Sequence, residues 1–431
     1  MAAGACAAGD PGRPATRDGE ASDGVAATDV ASEEDAGASL DGTPPDGGGG
    51  EVAVAEAPAD VAAEIADESD GPDSLAAPDV VVASGWTSAP DMNERREYPG
   101  PLLLPDGRVM VTSGHPLPGL PALSSAEIYD PATGLWEWTG SLHRPRTSGG
   151  GVVLPDGRVL VGDFMNVPVP SPSELWDPAT GEWRITGGMN VERQNYTLTL
   201  LEAGASVLAT GGIDWSTDVI TDACEIYDVP TESWRETAPL DGPRFGHSAV
   251  LLPGGDVLVL GSEVAAFPPQ HDTLVAGRRF DPIAEAWTPM PAMTATGRIS
   301  GLVRLHDDRV LVVGLTPGSL KTGTPTAELF DPVSSTWSPA TPPPVTRVGS
   351  PFVLLADGRV FTAGGTATNE QDFTDARIYD PATDEWTEVA PMGVPRRNHG
   401  AVALDDGSVL VMGGSNGFGY TYLRSSERFF H

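Results

Sequence analysis

Apolar residues in this chain come in short runs, each closed by a tight-turn pair or a glycine. GVVLPDGRVLVG from position 151, AVLLPGGDVLVLG from 249 and FVLLADGRVFTAGG from 352 share this form. Each predicts two antiparallel strands, joined by a turn whose glycine supplies positive φ. A second pattern follows each of them after a loop of variable length. AEIYDPATGLW at 126 returns as SELWDPATGEW at 173, CEIYDVPTESW at 224, AELFDPVSSTW at 327 and ARIYDPATDEW at 376, with a degenerate GRRFDPIAEAW from Gly277. This second pattern reads as a third strand, an Asp-Pro turn and a fourth strand carrying tryptophan. Four antiparallel strands per unit are therefore predicted.

The closing tryptophans are Trp136, Trp183, Trp234, Trp287, Trp337 and Trp386, spaced by 47 to 53 residues. A period near 50 marks units that bury their faces only by stacking on neighbours. The chain ends on AVALDDGSVLVMGG, a loop and SSERFFH, which is a unit cut off before its tryptophan strand. The missing strand stands at the other end, in VVASGWTSAP from 81, where WTSAPDM matches WTEVAPM at 386. Six whole units and this divided one predict an all-β, seven-bladed propeller over residues 80–431, a monomer closed by its amino-terminal strand. Closure removes the exposed sheet edges of a linear array.

Composition changes the picture mainly at the amino terminus. The formal net charge is −36, and Lys321 is the one lysine among 25 basic residues, which excludes nucleic acid as a partner. Residues 1–79 hold 19 acidic and 2 basic side chains and no aromatic residue. Such a segment cannot offset its chain entropy by burial and is expected to be a disordered acidic linker. Its start, MAAGACAAGD, resembles the end of a bacterial lipoprotein signal and makes Cys6 a lipidation candidate. A lipid-anchored protein displayed outside the cytoplasm is the expectation that follows, although no signal peptide precedes Cys6 in this sequence. Two cysteines, Cys6 and Cys224, exclude a disulfide framework, and no apolar run is long enough for a membrane-spanning helix.

Meander topology sends alternate connections to opposite faces. The Asp-Gly and Asp-Pro turns share one face, and the variable loops share the other with the crossings between blades. Variable loops on a rigid scaffold are the usual carriers of function. On the crossings an arginine follows most of the tryptophans by ten residues: Arg96, Arg146, Arg193, Arg244, Arg347 and Arg396, with Arg298 offset to eleven. One reading is an anion-receiving ring around a central channel. The other pairs each arginine with a blade acid, for which Glu127, Glu174, Glu225, Glu328 and Glu427 hold equivalent positions while Arg278 and Arg377 interrupt the series. Tyr196, His247 and His399, three residues beyond their arginines, and Trp215 in a variable loop complete the ligand-binding candidates.

The glycine doublets Gly211-Gly212, Gly364-Gly365 and Gly413-Gly414, with the third-strand tyrosine and fourth-strand tryptophan, resemble the kelch repeat. The resemblance implies a propeller of the class that forms the centre of galactose oxidase. It also implies a choice of functions. The leading expectation is a non-enzymatic module that binds a protein, peptide or carbohydrate or sugar-acid ligand through the variable-loop face, with no cofactor. The alternatives are a sugar-acid isomerase or mutarotase and a copper-radical oxidase. For the oxidase the chain departs from the family pattern: no Tyr-His pair occurs, and Cys224 fills a small-residue position, so no metal site and no catalytic residue is assigned.

Overall fold

The computed structural model describes residues 85–431 apart from 147–149, 163–170, 202–203, 262–276, 317–322, 346, 368–370 and 418–420. Cys6 and the acidic segment 1–79 lie outside the described residues, as does Lys321.

Seven four-stranded antiparallel sheets make up the fold, and no helix occurs among the described residues. Blades 1 to 6 begin at Leu102, Val152, Thr197, Ser248, Arg298 and Phe352, each running in order from first to fourth strand. In blade 7 the strands Gly400–Ala403, Val409–Met412 and Ser426–Phe430 are completed by Gly85–Ala89, with Trp86 opposite Phe429. First strands of successive blades lie beside one another, so they converge on the axis of the ring.

The second strands are the most deeply buried. Val109–Thr112, Val257–Leu260, Val360–Ala363 and Val409–Met412 are buried at every residue, because both of their faces meet a neighbouring sheet. Strands covered on two sides read as continuous apolar runs, and this is why the pattern VLVL appears where alternation would otherwise be expected. The core is divided into clusters that each join two consecutive blades. One unites Val109, Val111 and Tyr129 of blade 1 with Leu410 and Met412 of blade 7, so the closing interface is packed like the rest.

The Asp-Pro motif acts inside each blade and the tryptophan between blades. Asp130 Oδ1 accepts the Ala132 N–H at 2.8 Å, and Asp177, Asp281, Asp331 and Asp380 repeat this turn. Across the turn Tyr129 meets Trp136, Tyr227 meets Trp234 and Tyr379 meets Trp386, with ring centroids 5.1–5.2 Å apart. The indole N–H then donates into the preceding blade. Trp287 reaches the Ala238 carbonyl at 2.8 Å, Trp337 reaches Pro291 at 2.9 Å and Trp386 reaches Thr341 at 2.8 Å. Buried area and a directed hydrogen bond therefore act in one residue, which accounts for its recurrence.

Candidate functional site

The variable loops and the crossings meet on one face, as four backbone bridges show. Glu97 pairs with His115, Gln194 with Ile213, Val348 with Thr366 and Arg397 with Ser415. Each joins a crossing to the start of the loop between second and third strands of the same blade. Two of these loops fold further into small hairpins, Ile213–Asp214 with Val219–Ile220 and Ser415–Asn416 with Thr421–Tyr422. Around the mouth, residues with positive φ link one blade to the next. The Tyr98 N–H donates to the Asn398 carbonyl at 3.0 Å, Asn398 to Gly349 at 2.7 Å and Gly246 to Asn195 at 2.7 Å.

The expectation of an open arginine ring is corrected by burial. Arg96, Arg146, Arg193, Arg244, Arg347 and Arg396 are at most 3% exposed. Arg96 Nε donates to Glu127 at 3.0 Å, Arg146 Nη2 to Glu174 at 2.9 Å, Arg193 Nη2 to Glu225 at 2.7 Å and Arg396 Nη2 to Glu427 at 2.9 Å. In blade 6, where Arg377 replaces the third-strand acid, Arg347 pairs with Asp375 instead. In blade 4, where Arg278 replaces it, Asp241 lies 3.5 Å from Arg244 and also pairs with Arg278. The acid moves when its usual position is lost, because a buried guanidinium without an anion is costly.

These arginines also close the sheet. Arg193 Nη1 donates to the Gly211 and Ala223 carbonyls at 3.0 and 2.7 Å, and Arg396 Nη1 to Gly413 and Ser425 at 3.0 and 2.9 Å. Both carbonyls belong to the point where second and third strands splay apart at the glycine doublet. The guanidinium reinforces the last rung of the ladder, where Gly211 N–H reaches the Ala223 carbonyl and Gly413 N–H the Ser425 carbonyl at 3.1 Å, and this is a structural task.

Blade 5 departs from the scheme, and the offset of eleven residues is its trace in the sequence. Counting four residues from the buried Met92, Leu142, Met189, Leu240 and Met392 reaches Arg96, Arg146, Arg193, Arg244 and Arg396, whereas the same count from Met293 reaches Gly297. Here Glu328 accepts the N–H groups of Thr294, Ala295 and Thr296 at 2.8–3.2 Å and the Thr294 hydroxyl at 2.8 Å. Burial works to raise the Glu328 carboxyl, and these donors outweigh it and hold the pKa below the usual range. Without an arginine, the second and third strands pair through Gly314 opposite Thr326 and Leu315 opposite Pro325. Leu315 stands where blades 1, 3, 6 and 7 carry the second glycine. Arg298 falls one residue past the clamp, where other blades place Glu97, Gln194, Phe245, Val348 and Arg397.

Tyr196, His247 and His399 are likewise moved away from the channel mouth. A side chain on Gly162 would collide with the Tyr196 hydroxyl, and a Cβ on Gly211 or Gly364 would stand 2.9 Å from Cε1 of His247 or His399. Each ring is thus a wedge filling the glycine site of the preceding blade. His247 is 4% exposed, with Nε2 2.9 Å from Thr210 Oγ1 and 3.3 Å from Thr197 Oγ1. His399 is 7% exposed, and its ring stands at Ala363, the counterpart of Thr210, without a hydroxyl to meet. Burial, then the charges of Arg244 and Arg193, push His247 down to about 3. Burial, then Arg396 and Arg347, push His399 well below its ordinary value.

An acid response follows. Both imidazoles are neutral when folded, whereas the unfolded chain takes up their protons below a pH of about 6.5. Stability is full above that pH and falls beneath it by about 1.4 kcal/mol per pH unit for each histidine, continuing towards the lowered folded values. Urea midpoints measured between about pH 7.5 and 5 should show this slope, above the range in which carboxylates protonate. Replacing His399 by Leu should remove one share of it. A flat profile in the unmodified protein would contradict the buried neutral wedges.

Trp215 is the aromatic candidate that stays at the mouth. It is half-buried in the loop of blade 3 and meets half-buried Phe245 of blade 4 edge to face, with centroids 5.9 Å apart at 84°. Its indole N–H donates to Asn195 Oδ1 at 3.4 Å. Phe245 was not among the sequence candidates. Its signal was its place directly after Arg244, in the position that Arg298 shares.

The Kelch motif model matches residues 353–393, a span from the first strand of blade 6 to just past its tryptophan strand. The chain is a seven-bladed β-propeller that carries a kelch motif in its sixth blade. Kelch-like protein 23 of Homo sapiens is 31% identical over 116 residues, 27% of this chain and 19% of that protein, and the Pongo abelii counterpart matches to the same extent. The chain thus matches about a fifth of the length of these curated relatives. Among solved structures, a fungal alcohol oxidase of the AA5 family in complex with copper superposes with a TM-score of 0.63 at 16% identity, covering 81% of this chain and 76% of that one. That similarity concerns the fold. Among the described residues the candidates do not form a copper centre: His247 and His399 are wedged between different pairs of blades, and Cys224 is buried in a core cluster with its thiol pushed up to about 11 by desolvation.

Proposed function

We propose that this kelch propeller is a binding module that engages a protein or peptide through its variable-loop face, over the part of the mouth formed by blades 3 to 5. The observation that carries this reading is the half-buried pair Trp215 and Phe245, with Arg298 at the position of Phe245 in the next blade. Rigid aromatic side chains and arginine dominate binding energy at protein interfaces. The opposite face offers short repeated turns whose one departure is apolar, Ile283 and Val333 at the tips of blades 4 and 5.

Selection of a random peptide library on the immobilised propeller tests the choice of face. Enriched peptides are expected to lose binding to Trp215→Ala and Phe245→Ala variants and to keep it on Ile283→Asp and Val333→Asp variants. The reverse pattern would overturn the reading. Display outside the cytoplasm through a lipid on Cys6 is part of the same proposal, supported by the small residues before that cysteine and the acidic spacer after it. Radiolabelled palmitate incorporated by the unmodified chain and lost in Cys6→Ser is the expected result, and no incorporation would refute it.

A further inference from the structure

Of the three charged side chains at the position after the clamp, two are satisfied within the protein. Glu97 Oε1 accepts Asn398 Nδ2 at 2.9 Å and Ser415 Oγ at 2.8 Å. Arg397 Nε lies 3.6 Å from Asp372 Oδ1. Arg298 differs. It is half-buried at the mouth end of the blade 5 inner strand, its Cα opposite Leu315, and no described residue accepts a hydrogen bond from its guanidinium. Burial lowers its pKa with nothing opposing, whereas at Arg96, Arg347 and Arg396 a carboxylate opposes the same effect. The fold supplies an anion to every clamp arginine, even relocating one to Asp241 or Asp375, and none among the described residues reaches Arg298.

We infer that Arg298 is a recognition point for one carboxylate on the bound partner, received by its forked donors one blade on from Phe245. This rests on the proposed binding face and adds the chemistry of its ligand. A guanidinium already shielded from water gains more from a carboxylate than an exposed one does, and it loses less ordering entropy on binding. The surrounding chain is strongly acidic, so a carboxylate is drawn in by this local charge and short-range hydrogen bonds rather than by the overall field. A segment with an acidic residue next to an apolar or aromatic one fits the sector.

The test uses small probes that do not need the aromatic pair. The full chain is titrated with glutarate, N-acetylglycine and D-glucuronate, against sodium chloride at matched ionic strength. The readout is the 15N–1H shift of the backbone amides from Arg298 to Gly301 and of the Arg298 Nε–H. A saturable shift with at least one carboxylate and none with chloride is expected, and preference among the probes distinguishes side-chain, terminal and sugar-acid carboxylates. The backbone response should weaken about tenfold in Arg298→Gln and less in Arg298→Lys, with melting temperature unchanged in both. No saturable shift, or the same response to chloride, overturns the inference. A peptide selection that fails while the carboxylate response persists would count against the binding face alone.

Discussion

Removal of residues 80–92 is expected to abolish the cooperative unfolding of the ring. Gly85–Ala89 is the outer strand of blade 7 and pairs along its whole length with Ser426–Phe430. Trp86 lies 5.1 Å from Phe429 and 6.0 Å from Phe361 between ring centroids, and its indole N–H reaches the Ala390 carbonyl of blade 6 at 2.6 Å. Ala89 and Met92 belong to the cluster that seals blade 7 to blade 1. Deletion would therefore expose an aromatic interface, leave an unpaired strand edge and open the closing seam together. Calorimetry of the truncated chain should show a broad, low transition, and a peptide of residues 80–92 added in trans should restore it. A cooperative transition at the original temperature would show that closure does not depend on this strand.

Breaking one clamp should cost nearly as much from a single side chain. Glu225→Gln or Arg193→Met leaves a buried charge without its partner and is expected to destabilise by about 3–5 kcal/mol. The pair Arg193→Met with Glu225→Leu should recover much of that loss, because two well-packed apolar residues often replace a buried ion pair at little cost. Complete recovery is not expected, since Arg193 also serves the Gly211 and Ala223 carbonyls and Glu225 also receives the Asn190 N–H at 2.8 Å. Arg298→Gln provides the contrast and should change stability by less than about 0.5 kcal/mol. Denaturant titration of the four proteins separates the cases. Equal losses at Arg193 and Arg298 would remove the distinction between clamp and recognition residue.

The architecture was legible because a propeller repeats its instructions. The tryptophan period, the Asp-Pro turns and the divided seventh unit each report on contacts that every blade makes with its neighbour. The candidate site was legible only in part. Arginine spacing pointed to the loop-bearing face but to side chains that the fold buries, since a period in sequence shows that residues share an environment and does not show which way that environment faces. Two irregularities were more informative than the period itself: the eleventh-residue offset of Arg298 and the leucine of Gly314-Leu315. Both mark the blade in which direct strand pairing replaces the clamp.

Tyr196, His247 and His399 illustrate the remaining gap. Their spacing from the arginines placed them at the channel, whereas the glycine sites of preceding blades draw them between sheets. That outcome depends on residues some 35 positions earlier, a relation no local pattern expresses. The sequence by itself determined the all-β repeat, the number of blades and the strand that closes them, because these follow from hydrophobic period and turn chemistry along the chain. Only the tertiary structure decided which charges are paired inside the fold and that Arg298 has no acceptor among the described residues. Burial and pairing depend on neighbours from other blades, and charge balance between them is settled in three dimensions.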